Sequence, residues 1–518
     1  MDYFRKLKLI GATALTLFGP AVFAETVTLN SLDGSLSITG ELLDFSNDTY
    51  TVASQIGNLT VSADMVECLG ETCPSLLPRY SEFTISGSRT LALKLMPTLL
   101  DGFSASLGLD ITEQTDENGN PQVLFSGDNG EDVAKISFVM QGSSAGLSDL
   151  LRGKASLALT TRVARPSEVS AYSAAGLGNM RAAQNERVLA LDGIVVVTSP
   201  ANRVHIIGDA DIAAIFSGRI TDWAELGGAP GPINLYVRPE NTATGARFSQ
   251  LIMRPARAGF SLRANLMESD AAVANAVAAD PNGIGFTSYS DSANAVPVSL
   301  LGACNIQSPA TAFTIQSEEY PYSRRLYLYK STNSTSPLVD MFIEYLATPE
   351  AQELVGLTGF VGQGVREVPV NDQGLRFLSA ALPTDAEMTL ASLQSMMTDL
   401  ATASRLSITF RFEQGTSVLD SRAQGDIIRL ANRMLTPQLR NKKIILMGFT
   451  DSVGKGEGNQ RLSQSRAEQV RTALLAAGAG AIDPAQIEVR GYGELSPLGC
   501  NEETEGRRIN RRVEVWTR

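Results

Sequence analysis

The sequence predicts a multidomain α/β protein. A small β unit comes first, then a large doubly wound α/β unit, then a compact α/β unit at the C-terminal end. Three observations predict this. The chain has 518 residues, which is room for roughly three or four domains of ordinary size. Residues 25–78 alternate apolar and polar side chains with turn breaks, the pattern of short strands. Residues 79–370 and 405–518 each alternate strand-like runs with helix-like ones, the pattern of sheets covered by helices.

Composition narrows the function. An apolar share of 43% is enough for real cores. A net charge of −12 argues against a general nucleic-acid binder. The single histidine is His205, in "NRVHIIGD", where it reads as a strand residue. The four cysteines have no close metal-binding spacing. Both facts argue against a zinc site and against a His-based triad, and no cofactor is implied. No nucleophile stands beside a plausible base, so the chain does not read as an enzyme. A hydrolase would need a base near Ser88, Ser143 or Thr242.

The N-terminal end reads as an export signal over residues 1–24. Arg5, Lys6 and Lys8 precede an apolar run, Leu9 to Phe23, that is short for a membrane span. Val22 and Ala24 suit a signal peptidase, so the mature chain is expected to begin near Glu25. No cysteine follows that point, and no lipid anchor is expected there. No second run of about 18 apolar residues follows, so a soluble mature protein is expected. An exported chain meets oxidising conditions. Cys68 and Cys73, in "CLGETC", are close enough to close a small loop and are expected to form a disulfide. Cys304 and Cys500 could pair only if two domains dock, and are expected to be free or buried.

The elements follow in order. "VTLNSLDGSLSITGELLDF" and "TYTVASQIGNLTVSA" are strands of a small barrel or sandwich, read as a spacer. In the large unit, the strand "EFTIS" leads into the helix "RTLALKLMPTLLDGF", and "KISFVM" into "SSAGLSDLLRG". "GIVVVTS" and "INLYVR" are further strands. Residues 371–404 read as a helical connector, with "LASLQSMMTDLATA" its best stretch. In the last unit, "RLSITFRFE", "KIILMGFT", "QIEVRGYG" and "RRVEVW" are strands. "RAQGDIIRLANRML" and "NQRLSQSRAEQVRTALLAAG" are helices. Ile427, Leu430, Ala431 and Met434 stand at helical spacing.

Three loops of the large unit follow strands and combine small residues, hydroxyls and a following helix. They are "SGSRTLA", "QGSSAG" and "VRPENTATGARF". A helix start offers unpaired N–H groups to an oxyanion, and Arg238 offers a planar fork. Each loop alone is more simply a helix cap. Their order resembles the periplasmic phosphate-binding proteins of the type II solute-binding fold. The resemblance runs over roughly residues 80–365 and includes "FSGRITDWAELGG", "NGIGFTSY" and "EYPYSRRLYLY". It implies a two-lobed α/β fold and an oxyanion site between the lobes, with phosphate favoured. The site would comprise Thr90, Leu91, Ser143, Ser144, Arg162, Arg238, Thr242, Ala243 and Thr244. This chain departs from the pattern at three places. Arg162 stands where some members carry an Asp that accepts the proton of hydrogen phosphate. Ala243 replaces a Gly, and Arg89 enters the first loop.

In the last unit, Asp451 follows a strand and Arg466 lies within a helix, between Leu462 and Val470 on what reads as its apolar stripe. Spacing alone favours a structural ion pair of the two. The alternative is that they grip the two ends of a zwitterion. "GFTDSVGKGEGNQRLSQSRAEQV", "VRGYGELSP" and "GRRINRRVEV", in that order, resemble the OmpA-like peptidoglycan-binding domain over residues 405–518. The resemblance implies that Asp451 and Arg466 hold the ammonium and carboxylate of diaminopimelate. Asn459 and Leu462 would line the pocket, and Asn510 and Arg511 would support it. The family's usual Gly-His-Thr-Asp is Gly-Phe-Thr-Asp here, with Phe449 at the His position.

Together these readings imply a periplasmic solute-binding protein held on the cell wall of a Gram-negative envelope. Its partners would be peptidoglycan, phosphate or a similar oxyanion, and an ABC transporter permease or outer-membrane proteins. The alternative is a structural envelope protein whose middle domain binds protein or no ligand.

Overall fold

The computed structural model describes residues 26–31, 36–46, 49–70, 72–73, 80–117, 119–127, 129–292, 294–373, 389–412 and 419–518. The export signal and its cleavage point lie outside the described residues. Among them, no helix is long and apolar enough to cross a membrane.

The N-terminal unit, residues 1–79, holds one antiparallel sheet. Its strand order is Gly57–Ser62, Thr49–Ser54, Ser37–Ser46, Thr26–Ser31, Val66–Leu69. Val27, Leu29, Tyr50, Val52 and Val66 form its core. The described strands make a single sheet, not a closed barrel or a sandwich. Cys68 and Cys73 are disulfide-bonded, as their spacing predicts.

The second unit, residues 80–518, contains two folds, a large two-lobed one and a smaller C-terminal one, each built on its own sheet. One long sheet runs through both lobes of the former. In one lobe, Ser323–Lys330 is followed by Leu157–Thr160, Ser81–Gly87, Asp132–Val139, Pro121–Ser126 and Asp110–Thr115. In the other, the 194–198 end of strand Glu186–Thr198 is followed by Gly283–Ser288, Asn234–Val237 and Asn265–Leu266, while the Glu186 end of that strand lies in the first lobe, paired with Tyr329. The two halves join where Glu186–Thr198 pairs antiparallel with Ser323–Lys330, with a register shift between Val188 and Ala190. Each lobe has its own core. Leu147, Leu150, Tyr172, Tyr327 and Tyr329 serve the first lobe. Val195, Trp223, Phe248, Phe286 and Tyr320 serve the second.

Helix Ser143–Leu151 lies directly on its sheet because Gly146 faces Gly87. A Cβ on Gly146 would stand 2.7 Å from the Gly87 Cα. The loop at the start of this helix is thereby held against the end of the strand Ser81–Gly87.

The C-terminal sheet has the order Glu367–Pro369, Ser404–Arg411, Arg512–Thr517, Ile444–Phe449, Ile487–Gly491. Helices Ser421–Leu435 and Gly456–Ala477 cover one face through Ile427, Leu430, Met434, Val470 and Leu474. The other face is covered by helix Leu390–Leu400, which buries Met396 and Leu400 against Met447, Phe449 and Trp516. The stretch 371–404 is therefore not simply a connector. Its described end is a layer of this domain, because the apolar stripe of "LASLQSMMTDLATA" finds a sheet face to bury. Residues 374–388 of the expected connector lie outside the described residues.

The two folds of this unit are docked through buried charge. Glu318 lies 2.5 Å from Arg325 Nε and 2.9 Å from Arg422 Nη1, with Arg411 Nε at 3.6 Å. Burial alone would raise the Glu318 carboxyl, but Arg325 and Arg422 outweigh it and hold it well below the usual range. Arg405 is fully buried and pairs with Glu319. Cys304 and Cys500 are disulfide-bonded. The expectation that these two would be free is overturned, while Cys500 is buried as expected. Sequence distance hid the docking that brings them together.

Candidate binding sites in the two folds

The C-terminal site grows from one close packing contact. A Cβ on Gly448 would lie 2.0 Å from the Ser463 carbonyl oxygen, so glycine alone lets helix Gly456–Ala477 settle on strand Ile444–Phe449. That settling carries Arg466 towards the strand end where Asp451 stands. Asp451 is 7% exposed and Arg466 is 2% exposed. The Asp451 carboxylate accepts from Val453 N at 3.2 Å and from Arg511 Nη1 at 2.7 Å.

Arg511, not Arg466, is thus the ion-pair partner of Asp451. Arg466 leaves Nε and Nη1 without a hydrogen-bond partner among the described residues. Its guanidinium lies over the Phe412 ring at 5.2 Å. Burial, and then repulsion from Arg511, lower its pKa, while Asp451 works in the opposite sense. An orphaned buried guanidinium beside a second arginine is short of one anion, and a carboxylate would supply it.

The remaining predicted residues divide by role. Asn459 donates to the Asp451 and Val453 carbonyls at 3.3 Å and to Glu494 at 2.6 Å, which fixes the loop bearing Asp451. Asn510 accepts from Leu498 N and Gly499 N and donates to Asn501, a supporting role as expected. Arg511 belongs to the site itself. Leu462 is 44% exposed and is not part of the buried stripe, which runs through Asn459, Ser463, Ala467, Val470 and Leu474. The helix starts at Gly456, so Gly456 and Gly458 lie in its first turn and only Gly454, with φ 113°, belongs to the loop. Phe449, at the usual His position, is buried with Arg512 stacked on its ring at 4.2 Å.

The sites in the lobes are more fully self-paired. Ser88 is the buried cap of helix Arg89–Lys94, and Leu91 N donates to it at 3.5 Å. Thr90 is exposed, and Leu91 is buried. Ser143 Oγ accepts from Thr161 N at 3.1 Å, and Ser144 Oγ accepts from Arg162 Nη2 at 2.8 Å. Arg162 is held bidentately by Glu168 at 2.7 and 2.6 Å. In the second lobe, Thr242 caps helix Ala243–Phe248 by accepting from Gly245 N at 3.1 Å. Arg238 Nε lies 3.0 Å from Asp270, and Thr244 donates to the same carboxylate at 2.7 Å. Burial pushes the Asp270 carboxyl up, against Thr244, Arg324 and Arg238. From the first lobe, Lys94 reaches across to the Ser290 carbonyl at 2.8 Å and to Asp291 at 2.7 Å.

The loops therefore hold the expected donors, but Glu168 and Asp270 already neutralise the two arginines. Nothing in the sequence marked these acids. Glu168 stands beyond "TTRVARPS", and Asp270 opens a helix thirty-odd residues from its partner. Phe412 was likewise invisible, since only tertiary packing sets it under Arg466.

Comparison with known proteins agrees with this division. The PBP superfamily domain model matches residues 123–350, and the OmpA family model matches residues 411–511. The phosphate-binding protein PstS of Borreliella burgdorferi is 24% identical over 234 residues, covering 44% of this chain and 80% of that protein. Outer membrane porin F of Pseudomonas fluorescens is 36% identical over 111 residues, covering 21% of this chain and 32% of the porin. This chain thus spans about a third of that relative's length. An ABC-type phosphate transport receptor from Vibrio cholerae superposes over 54% of this chain and 99% of its own, with TM-score 0.41 and 21% identity. The chain carries a phosphate-binding-protein-like domain of the PBP superfamily joined to a C-terminal domain of the OmpA family.

Proposed function

We propose that the protein is a solute-binding protein of the periplasm, held on peptidoglycan by its C-terminal domain. The observation that carries the wall-binding half is Arg466, buried beside the Asp451–Arg511 pair with its Nε and Nη1 unpartnered among the described residues. The free end of diaminopimelate carries an ammonium and a carboxylate. Its carboxylate would pair with Arg466 bidentately, and its ammonium would take an Asp451 oxygen. Asn459 and Asn510 hold the two loops of the pocket in place, and exposed Leu462 offers an apolar contact at its rim. Sedimentation of the protein with purified diaminopimelate-containing peptidoglycan tests this. Capture that survives in a folded Asp451→Ala protein would falsify it.

For the middle domain we infer a tetrahedral oxyanion held between the lobes, with phosphate the first candidate. Its donors would be Thr90, the Leu91 amide, Ser143, Ser144, Arg162, Arg238, Thr242 and Thr244, with Ala243 at the helix start. Helix starts and hydroxyls in both lobes support this reading. The molecule's work on this reading is binding rather than catalysis. A transporter permease or an outer-membrane protein would then be a further partner.

One observation favours a second reading. Both site arginines are already paired with acids, Arg162 with Glu168 and Arg238 with Asp270. A domain that no longer takes an anion, in a structural envelope protein, would look the same. Calorimetric titration of the full mature chain with phosphate, sulfate and a dicarboxylate separates the two. No heat at millimolar concentration leaves only the structural role.

A further inference from the structure

Two-lobed binding domains exchange solute by bending where strands cross between the lobes. In this molecule the crossing strands are Glu186–Thr198 and Ser323–Lys330. The C-terminal domain lies against that crossing and touches both sides of it. On the second lobe, Cys500 is bonded to Cys304, Arg411 donates to the Ser317 carbonyl at 2.6 Å, and Arg422 meets Glu318 and the Gln316 carbonyl. On the first lobe, Ser421 donates to Glu186 at 2.5 Å and Arg429 donates to Gln363 at 3.0 Å. Glu186 also accepts from Tyr329, in the core of that lobe, and Gln363 is bonded to Gln352 and Val188 of the same lobe. At the crossing itself, Arg325 pairs with Asp420 at 2.6 Å.

Ser421, Arg422 and Arg429 all stand on one helix, Ser421–Leu435. A single rigid element therefore bridges both lobes behind the hinge. We propose that this helix is a brace, and that the C-terminal domain fixes the angle between the lobes. Bending would have to break either the charged contacts around Glu318 or the pair of contacts to Glu186 and Gln363. The disulfide keeps the brace anchored to the second lobe, so the contacts to the first lobe are the ones that can give way. The brace does not depend on which solute the cleft takes, or on whether it takes one.

Lys94 bridges the lobes on its own account, so the test must separate the two. Spin labels are placed at exposed Lys154 and Arg263, one per lobe. A ketone-bearing unnatural residue carries each label, so Cys304–Cys500 stays closed. Pulsed electron–electron resonance then reads the distance in the full mature chain without added solute. Parent and Lys94→Ala proteins should both give one narrow distance, because the brace still holds. Lys94→Ala combined with Ser421→Ala and Arg429→Ala should give a broad distribution with a second, longer population. Circular dichroism confirms that each variant is folded. A broad distribution in the parent, opening by Lys94→Ala alone, or a narrow distance in the triple variant would each overturn the proposal.

Discussion

Asp451 is paired with Arg511 at 2.7 Å, while Arg466, buried close by, has no partner for Nε or Nη1 among the described residues. A fold that needed only a structural ion pair would not leave that guanidinium open. Its burial without a partner costs stability, and the cost makes sense if a ligand removes it.

Replacing Arg466 therefore gives opposite signs for stability and binding. Arg466→Met should leave thermal stability unchanged or raise it by about 1 kcal/mol, because a buried unpaired charge is removed. The same variant should fail to sediment with peptidoglycan. Arg466→Lys should also bind poorly, since an ammonium lacks the planar fork. A clear drop in the melting temperature of Arg466→Met would show that the arginine holds the fold together.

Asp451→Ala should abolish wall capture and leave a folded domain. It leaves Arg511 without its carboxylate beside Arg466, which already lacks one, so two guanidinium groups would then face the pocket with no acid. Capture by this variant should not recover at any salt concentration, whereas a purely electrostatic attachment would vary steeply with salt. Sedimentation at several ionic strengths checks this.

In the middle domain, Arg238→Ala should weaken oxyanion binding by about 1.5–3 kcal/mol, the range for charge-assisted hydrogen bonds. Asp270→Asn should do the reverse, because it removes the carboxylate that now neutralises Arg238. With Arg162 at the position of the proton acceptor, phosphate and sulfate should be poorly distinguished. Side-by-side calorimetric titrations of the three proteins read all of these outcomes.

Asp209 gives a pH signature of docking. Burial, together with Glu503 from the C-terminal domain, raises its pKa from 3.8 to about 6, while the Tyr322 hydrogen bond opposes the rise. The folded state thus holds this proton more tightly than the unfolded state. The associated stability is complete below about pH 4 and is lost as pH rises to about 6. Asp209→Asn should remove that slope and add up to about 3 kcal/mol at neutral pH. Denaturant titrations from pH 4 to pH 7 measure it, and identical slopes in parent and variant would refute the assignment.

Much of the architecture was legible because local periodicity is strong. The strands Ile444–Phe449 and Arg512–Thr517 and the helix Gly456–Ala477 fall where their apolar patterns place them. Leu462 shows the limit of such patterns. It sits at helical spacing from Arg466, yet it faces solvent because Asn459 and Ser463 take the buried positions instead. The pairings were less legible still. Arg511 and Asp451 are sixty residues apart in sequence, and Arg238 meets Asp270 only after the second lobe folds. The connector at 371–404 was misread because a helix covering a sheet and a free amphipathic helix have the same pattern.

Cys304 and Cys500 close a covalent ring of the chain 196 residues around. One backbone cut anywhere inside that ring cannot release the C-terminal fragment. The two pieces would migrate as one chain on a non-reducing gel and separate only after reduction. In an envelope with active proteases, a molecule held on the wall as proposed would stay tethered after such a nick, and its attachment would outlast the integrity of its own backbone.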